Sequence, residues 1–266
     1  MRKIGFTEIG RLDELSRLDS AIHRLDPRTK VLATAVFLGV VMSFPRHAVA
    51  ALMPLFAYPL LVGARAGLPS GFLLRKILVA SPFALLVASG NPFFDRAPLA
   101  FVGGHGIAGG WFSFASIMVR FVLTLWSALV LIATTGIHPL CAGLEQLGMP
   151  RIFGTQVLFL YRYLFVIAEQ GARLHRAVTL RGGGTLRLAA YGSLLGQWLL
   201  RAIDRATRIH QAMCARGFDG QVRILRRRQP TWRDPAFLVA WSVFFLVARR
   251  WDLGEILTAV FTPAAT

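Results

Sequence analysis

Val157-Leu158-Phe159-Leu160-Tyr161-Arg162-Tyr163-Leu164-Phe165-Val166-Ile167 opens the stretch, Thr155 to Gly220, around which the remaining chain arranges itself. The run is apolar nearly all round, turns basic at Arg173, His175 and Arg176, and stops at Leu180-Arg181-Gly182-Gly183-Gly184. Residues 155 to 182 make a helix about 40 Å long at ~1.5 Å per residue. A second helical run, about Leu188 to Arg216, ends at Ala215-Arg216-Gly217-Phe218-Asp219-Gly220. Its residues Leu194, Leu195, Trp198, Leu199, Ile203 and Ala206 fall near one stripe, with Arg201, Asp204, Arg205, Arg208 and Gln211 elsewhere. Two long helices that each finish in an apolar or small residue, an Arg and a Gly look like one device used twice. A plain helix stop explains the Gly and tolerates the Arg through the helix dipole. An Arg held at a rigid tip equally suits a groove on a partner, where it grips a carboxylate through two hydrogen bonds. Two such ends, 35 residues apart, fit a partner that is itself duplicated.

The sequence around this stretch reads as membrane. Of the 266 residues 55% are apolar and 16% charged, against about 25% charged in soluble chains. Lys and Arg still outnumber Asp and Glu 30 to 13, a formal charge of +17. A nucleic-acid binder would gather that charge on a polar domain. Here it lies between apolar blocks at 31–44, 48–63, 77–90, 111–135 and 235–248 that read as spans. The first two are short for a full crossing and pair as a hairpin that borrows flanking residues. Residues 1–30 hold 7 Lys+Arg, 64–76 hold 3 and 136–235 hold 15. Positive-inside bias puts all three segments in the cytosol: five spans, N-terminus inside and C-terminus outside. The expected parts are a cytosolic N-terminal segment (1–30), a four-helix transmembrane region (31–135), a cytosolic domain (136–234) and a C-terminal transmembrane helix with its tail (235–266). The opening residues carry both signs of charge and no apolar core, so no cleavable signal peptide is expected. Cys141 and Cys214, the two cysteines, fall in the cytosolic segment and indicate no disulfide framework.

Single residues draw notice within this plan. Asp26-Pro27 before the first block is an N-cap followed by proline in the first turn, and it reads equally as a specific contact with Arg28 beside it. Arg120 inside the fourth block marks a polar pathway, a helix-to-helix anchor, or a side chain that snorkels to an interface. The Gly-rich loop Gly103-Gly104-His105-Gly106 with Gly109-Gly110 lacks the strand before it and the Lys-Ser/Thr after it that phosphate binding needs, and reads as a flexible turn. His23, His47, His105, His138, His175 and His210 are scattered, no carboxylate pattern of an acid/base site lies in an apolar block, and neither metal ligation nor catalysis is expected.

Several pieces share an order with a known family: Leu25-Asp26-Pro27-Arg28-Thr29-Lys30, Asn91-Pro92-Phe93-Phe94-Asp95-Arg96, Leu144-Glu145-Gln146-Leu147-Gly148-Met149-Pro150, Tyr161-Arg162-Tyr163-Leu164-Phe165, and the two Arg-Gly ends. With them the chain resembles the transmembrane T component of energy-coupling factor (ECF) transporters, most closely the CbiQ type that serves cobalt. The resemblance implies an all-α integral membrane protein of about five transmembrane helices plus a cytosolic domain of long crossed coupling helices, in the inner (cytoplasmic) membrane. It implies that Leu180, Arg181, Gly182, Ala215, Arg216 and Gly217 enter two cytosolic ATPase subunits, which hydrolyse ATP while this chain binds no cofactor. A substrate-capture membrane subunit of the CbiM type is the other partner, with a small CbiN-like subunit beside it. Membrane lipid is expected against the basic segment and no nucleic acid is. Nickel or a vitamin such as biotin is the alternative cargo, and a membrane-embedded lipid-modifying enzyme centred on Arg120 the alternative class.

Overall fold

In the computed structural model the described residues are 10–11, 13–45, 49–91, 98–102, 105–181, 188–220 and 231–250. Their helices are α1 (Pro27–Ser43), α2 (Val49–Leu52), α3 (Ala57–Arg65), α4 (Ser70–Ala88), α5 (Gly109–Thr135), α6 (Ile137–Gln146), α7 (Arg151–Arg181), α8 (Leu188–Cys214) and α9 (Arg233–Arg250). The chain divides into two units, residues 144–227 and residues 2–143 with 228–266.

In the second of these units all five expected apolar blocks lie on helices. The second block is broken because Pro54 and Pro59 cannot donate backbone hydrogen bonds, and a 3₁₀ turn, Met53–Phe56, joins α2 to α3. The third block starts earlier than expected, so Arg75 and Lys76, read as connector, are helical. Their long stems let the charged heads leave an apolar surface, and the Lys76 ammonium lies 5.5 Å from the Phe72 ring centre. The glycine-rich stretch is flanked by strand pairing, while Gly103 and Gly104 lie outside the described residues. Strands β1 (Pro98–Val102) and β2 (His105–Ala108) pair antiparallel, with Val102 opposite His105 and Phe101 opposite Gly106.

Four side-chain bonds fix the helix directions. The Lys30 ammonium near the start of α1 donates to the Thr134 carbonyl near the end of α5 at 2.8 Å. Arg120, halfway along α5, reaches Phe44 just past the end of α1. These two helices therefore run antiparallel. By contrast, Asp234 at the start of α9 meets Asp26 at the start of α1, and Arg249 near its end meets Ser43, so α1 and α9 run parallel. The start of α1, the end of α5 and the start of α9 thus share one end of the bundle. Between them Phe37, Tyr58 and Phe245 pack with ring centres 4.8–5.3 Å apart, and the Tyr58 hydroxyl bonds Thr34 at 2.9 Å.

In the unit 144–227, α7 and α8 cross. The Trp198 indole N–H donates to the Ile167 carbonyl at 3.0 Å. At Gly171 a Cβ would stand 2.8 Å from the Trp198 ring, so only a glycine admits the indole there. Leu194 is buried, while Leu195, Leu199 and Ile203, expected on the same stripe, stay more than half exposed.

Among the described residues, three helices are long and apolar enough to cross a membrane: α4, α5 and α7. The last is the helix expected in the cytosol, because its apolar first half satisfies the length and composition of a span before the basic half begins. Pro92 to Arg96, Gly182 to Gly184 and the cationic run Arg223 to Arg228 lie outside the described residues.

Candidate functional site

The two Arg-Gly ends differ in how they finish. Helix α7 carries Leu180 and Arg181 as its last residues, both exposed, Leu180 at 78%. Gly182 lies outside the described residues. Helix α8 ends in a fully hydrogen-bonded glycine cap. The Phe218 N–H reaches back to the Met213 carbonyl and the Gly217 N–H to Cys214, both at 3.0 Å. Gly217 takes φ +79°, the left-handed conformation this cap requires. Arg216 therefore sits on a backbone with no slack, exposed with Ala215 and Gly217 beside it. Phe218 continues the cap into packing, its ring centre 6.1 Å from that of Phe159 on α7. Neither the Arg181 nor the Arg216 guanidinium hydrogen-bonds another described residue.

Asp26, Arg28 and Arg120 belong to the bundle and serve its helix ends. Asp26 is both of the things its sequence suggested. Its carboxylate accepts from the Arg28 N–H at 2.9 Å as an N-cap, with Pro27 in the first turn. Its own N–H donates to the Asp234 carboxylate at 2.7 Å, and the other oxygen of Asp234 accepts from Thr231 N–H at 2.6 Å. Asp234, 4% exposed, is the residue that sequence reasoning missed. Gly143 packs against the same turn, where a Cβ would meet Pro27 at 3.1 Å. Arg28 Nε is buried there without a hydrogen-bond partner among the described residues.

At the other end of α1 the charges reverse. Arg120 donates to the Phe44 and Pro45 carbonyls at 3.0 and 2.7 Å. Arg249 donates to Ser43 at 3.3 Å and lies 4.8 Å over the Phe44 ring. Acids at a helix start and cations at its end both favour the helix dipole. Arg120 thereby ties α5 to the residues just past the end of α1.

Against known proteins, the profile of the family CbiQ, described as cobalt transport protein, matches residues 19–229. The energy-coupling factor transporter transmembrane protein EcfT of Heliobacterium modesticaldum is 29% identical over 88% of this chain and 94% of its own length. The cobalt transport protein CbiQ of Rhodobacter capsulatus is 32% identical over 37% of this chain and 41% of its own. A putative fused cobalt transport protein CbiMQ of Methanocorpusculum labreanum is 29% identical over 40% of this chain and 18% of its own. A family match over most of the chain, on a helical membrane fold with paired exposed tips, makes this protein a member of the CbiQ family, the transmembrane component of energy-coupling factor transporters.

Proposed function

We propose that this chain is the non-catalytic coupling subunit of an ATP-driven metal importer, with Co²⁺ as cargo. It relays closure of two cytosolic ATPase subunits to a substrate-capture subunit of the CbiM type, in a complex that also takes a small CbiN-like subunit. The observation that carries this reading is the pair of exposed Arg tips on crossed helices, one of them locked by its glycine cap. An exposed guanidinium on a rigid backbone is preorganised to grip a carboxylate, since little ordering remains when it docks. Leu180 and Ala215 would pack at the mouths of the two grooves, with Gly182 and Gly217 ending the tips.

Chain direction supports a cytosolic place for the tips. The chain leaves the bundle after α5 and re-enters at α9 on the same end, so residues 136–231 make no net crossing. Were α7 a span, α8 would have to return, and Arg201, Asp204, Arg205 and Arg208 make that expensive in hydrocarbon. Positive-inside counting then puts this end, and the N-terminus with it, in the cytosol. A relative whose name joins CbiM to CbiQ supports the capture partner and the cobalt cargo.

The test is co-purification of the ATPase subunits with the full chain in detergent, together with uptake of Co²⁺ and Ni²⁺. Arg181→Glu and Arg216→Glu each weaken capture of ATPase and lower uptake, and the double variant abolishes both. Capture and uptake that survive the double variant would overturn the docking role. Nickel uptake without cobalt uptake would overturn the cargo.

A further inference from the structure

One turn before the α8 tip, the Cys214 sulfur and the His210 Nε2 stand 3.6 Å apart, both side chains exposed. The spacing of four residues puts them on one helix face, as in paired-histidine zinc sites on helices. Their separation has a chemical meaning. A divalent cation ~2.3 Å from a thiolate and ~2.0–2.1 Å from an imidazole, at a tetrahedral angle, holds sulfur and nitrogen about 3.6 Å apart. The free pair already stands at the bite of a chelate. No closure of the helix or change of backbone is needed to bring the two donors to one ion.

We infer that His210 and Cys214 form a two-donor surface site for a borderline divalent cation such as Co²⁺, Ni²⁺ or Zn²⁺. Imidazole with thiolate selects this class over Mg²⁺ and Ca²⁺, which take oxygen donors. Among the described residues no third His, Cys, Asp or Glu joins the pair into a larger cluster. The remaining positions on the ion are filled by water or by a donor from another molecule. Binding takes Cys214 as thiolate, so its thiol proton is released to solvent. The ion brings positive charge within one turn of Arg216 and changes the surface that the tip presents.

The experiment uses the purified full chain in detergent, titrated with Co²⁺ in the absence of thiol reductant. A thiolate-to-cobalt charge-transfer band in the near ultraviolet is expected, saturating at one ion per chain. Cys141 is buried, so a thiol reagent reports Cys214, and Co²⁺ slows its modification about tenfold. Cys214→Ser removes the band. His210→Ala weakens binding by more than the ~10-fold typical of losing an outer partner of a ligand. Both positions are exposed, and circular dichroism confirms that the variants keep the helix. No band at millimolar Co²⁺, a band that survives Cys214→Ser, or unchanged affinity in His210→Ala would each overturn the site. The readout needs no ATPase, so it stands or falls apart from the docking role.

Discussion

At the scale of single residues, the bundle depends on one carboxylate. Asp234 accepts two backbone N–H groups, Asp26 and Thr231, in a place closed to water. Asp234→Ala leaves both donors without a partner, and each such buried group costs about 1–3 kcal/mol. Thermal unfolding in detergent should fall accordingly, with Asp234→Asn recovering part of the loss because one oxygen acceptor remains. A second residue gives the fold a pH dependence. His23 bonds the Leu15 carbonyl at 3.0 Å and the Ser20 hydroxyl at 2.8 Å. Burial lowers its pKa below the ordinary 6.5, opposed by the Leu15 carbonyl and aided by the Lys30 charge. The folded state thus favours neutral His23, while the unfolded chain takes up the proton near 6.5. Its contribution to stability is complete above that pH and is lost as pH falls toward the lower folded value. Melting temperatures between pH 7.5 and 5.5 should decline in the wild type and flatten in His23→Gln. What was legible here was local. Asp26-Pro27 announces its cap because capping geometry acts over two residues, whereas Asp234 lies 208 residues from Asp26 and follows a run of cations with no local motif.

At the scale of elements, the crossing of α7 and α8 turns on a glycine that sequence periodicity passes over. Gly171 is where the Trp198 indole enters, and Trp198 adds a bond to the Ile167 carbonyl. Gly171→Ala drives a methyl into that ring, an overpacking of about 1–3 kcal/mol. Trp198→Phe keeps the shape and loses the N–H, about 1 kcal/mol. Both should lower the unfolding midpoint, Gly171→Ala the more, and equal midpoints for all three proteins would show that the crossing rests on other contacts. The stripe on α8 was legible as a stripe, but not as two faces. Leu194 and Trp198 turn inward, while Leu195, Leu199 and Ile203 remain for lipid or a partner. The four-residue spacing of His210 and Cys214 was also open to reading, and a search for isolated histidines misses it because the second donor is sulfur. The hairpin of β1 and β2 left only glycines as its trace, and glycine marks a turn without telling a paired strand from an open loop.

At the scale of the whole molecule, the five apolar blocks were enough to find the helices of the bundle. Their ends were not, since side-chain stems let α4 carry Arg75 and Lys76 beyond the apolar block. Nor does hydropathy settle α7, which passes as a span by length and composition. The proposed topology rests instead on direction, since α1 and α9 are parallel and α5 opposes them. Single cysteines placed at Asp13, Leu147 and Asp219, in a chain with Cys141 and Cys214 replaced by Ser, should react with an impermeant reagent only from the cytosolic side of sealed vesicles. Labelling of Leu147 and Asp219 from opposite sides would sink the proposed topology. The clasp on α1 carries a further consequence for biogenesis. Its first turn is held by Asp234 and its last by Arg249, both supplied by α9, so an early helix of the bundle waits for a much later one. Until α9 emerges, α1 has its own Asp26 cap, the Lys30 bond to Thr134 and Arg120 to hold its ends. Assembly is therefore ordered by synthesis, and the bundle closes when α9 returns to α1.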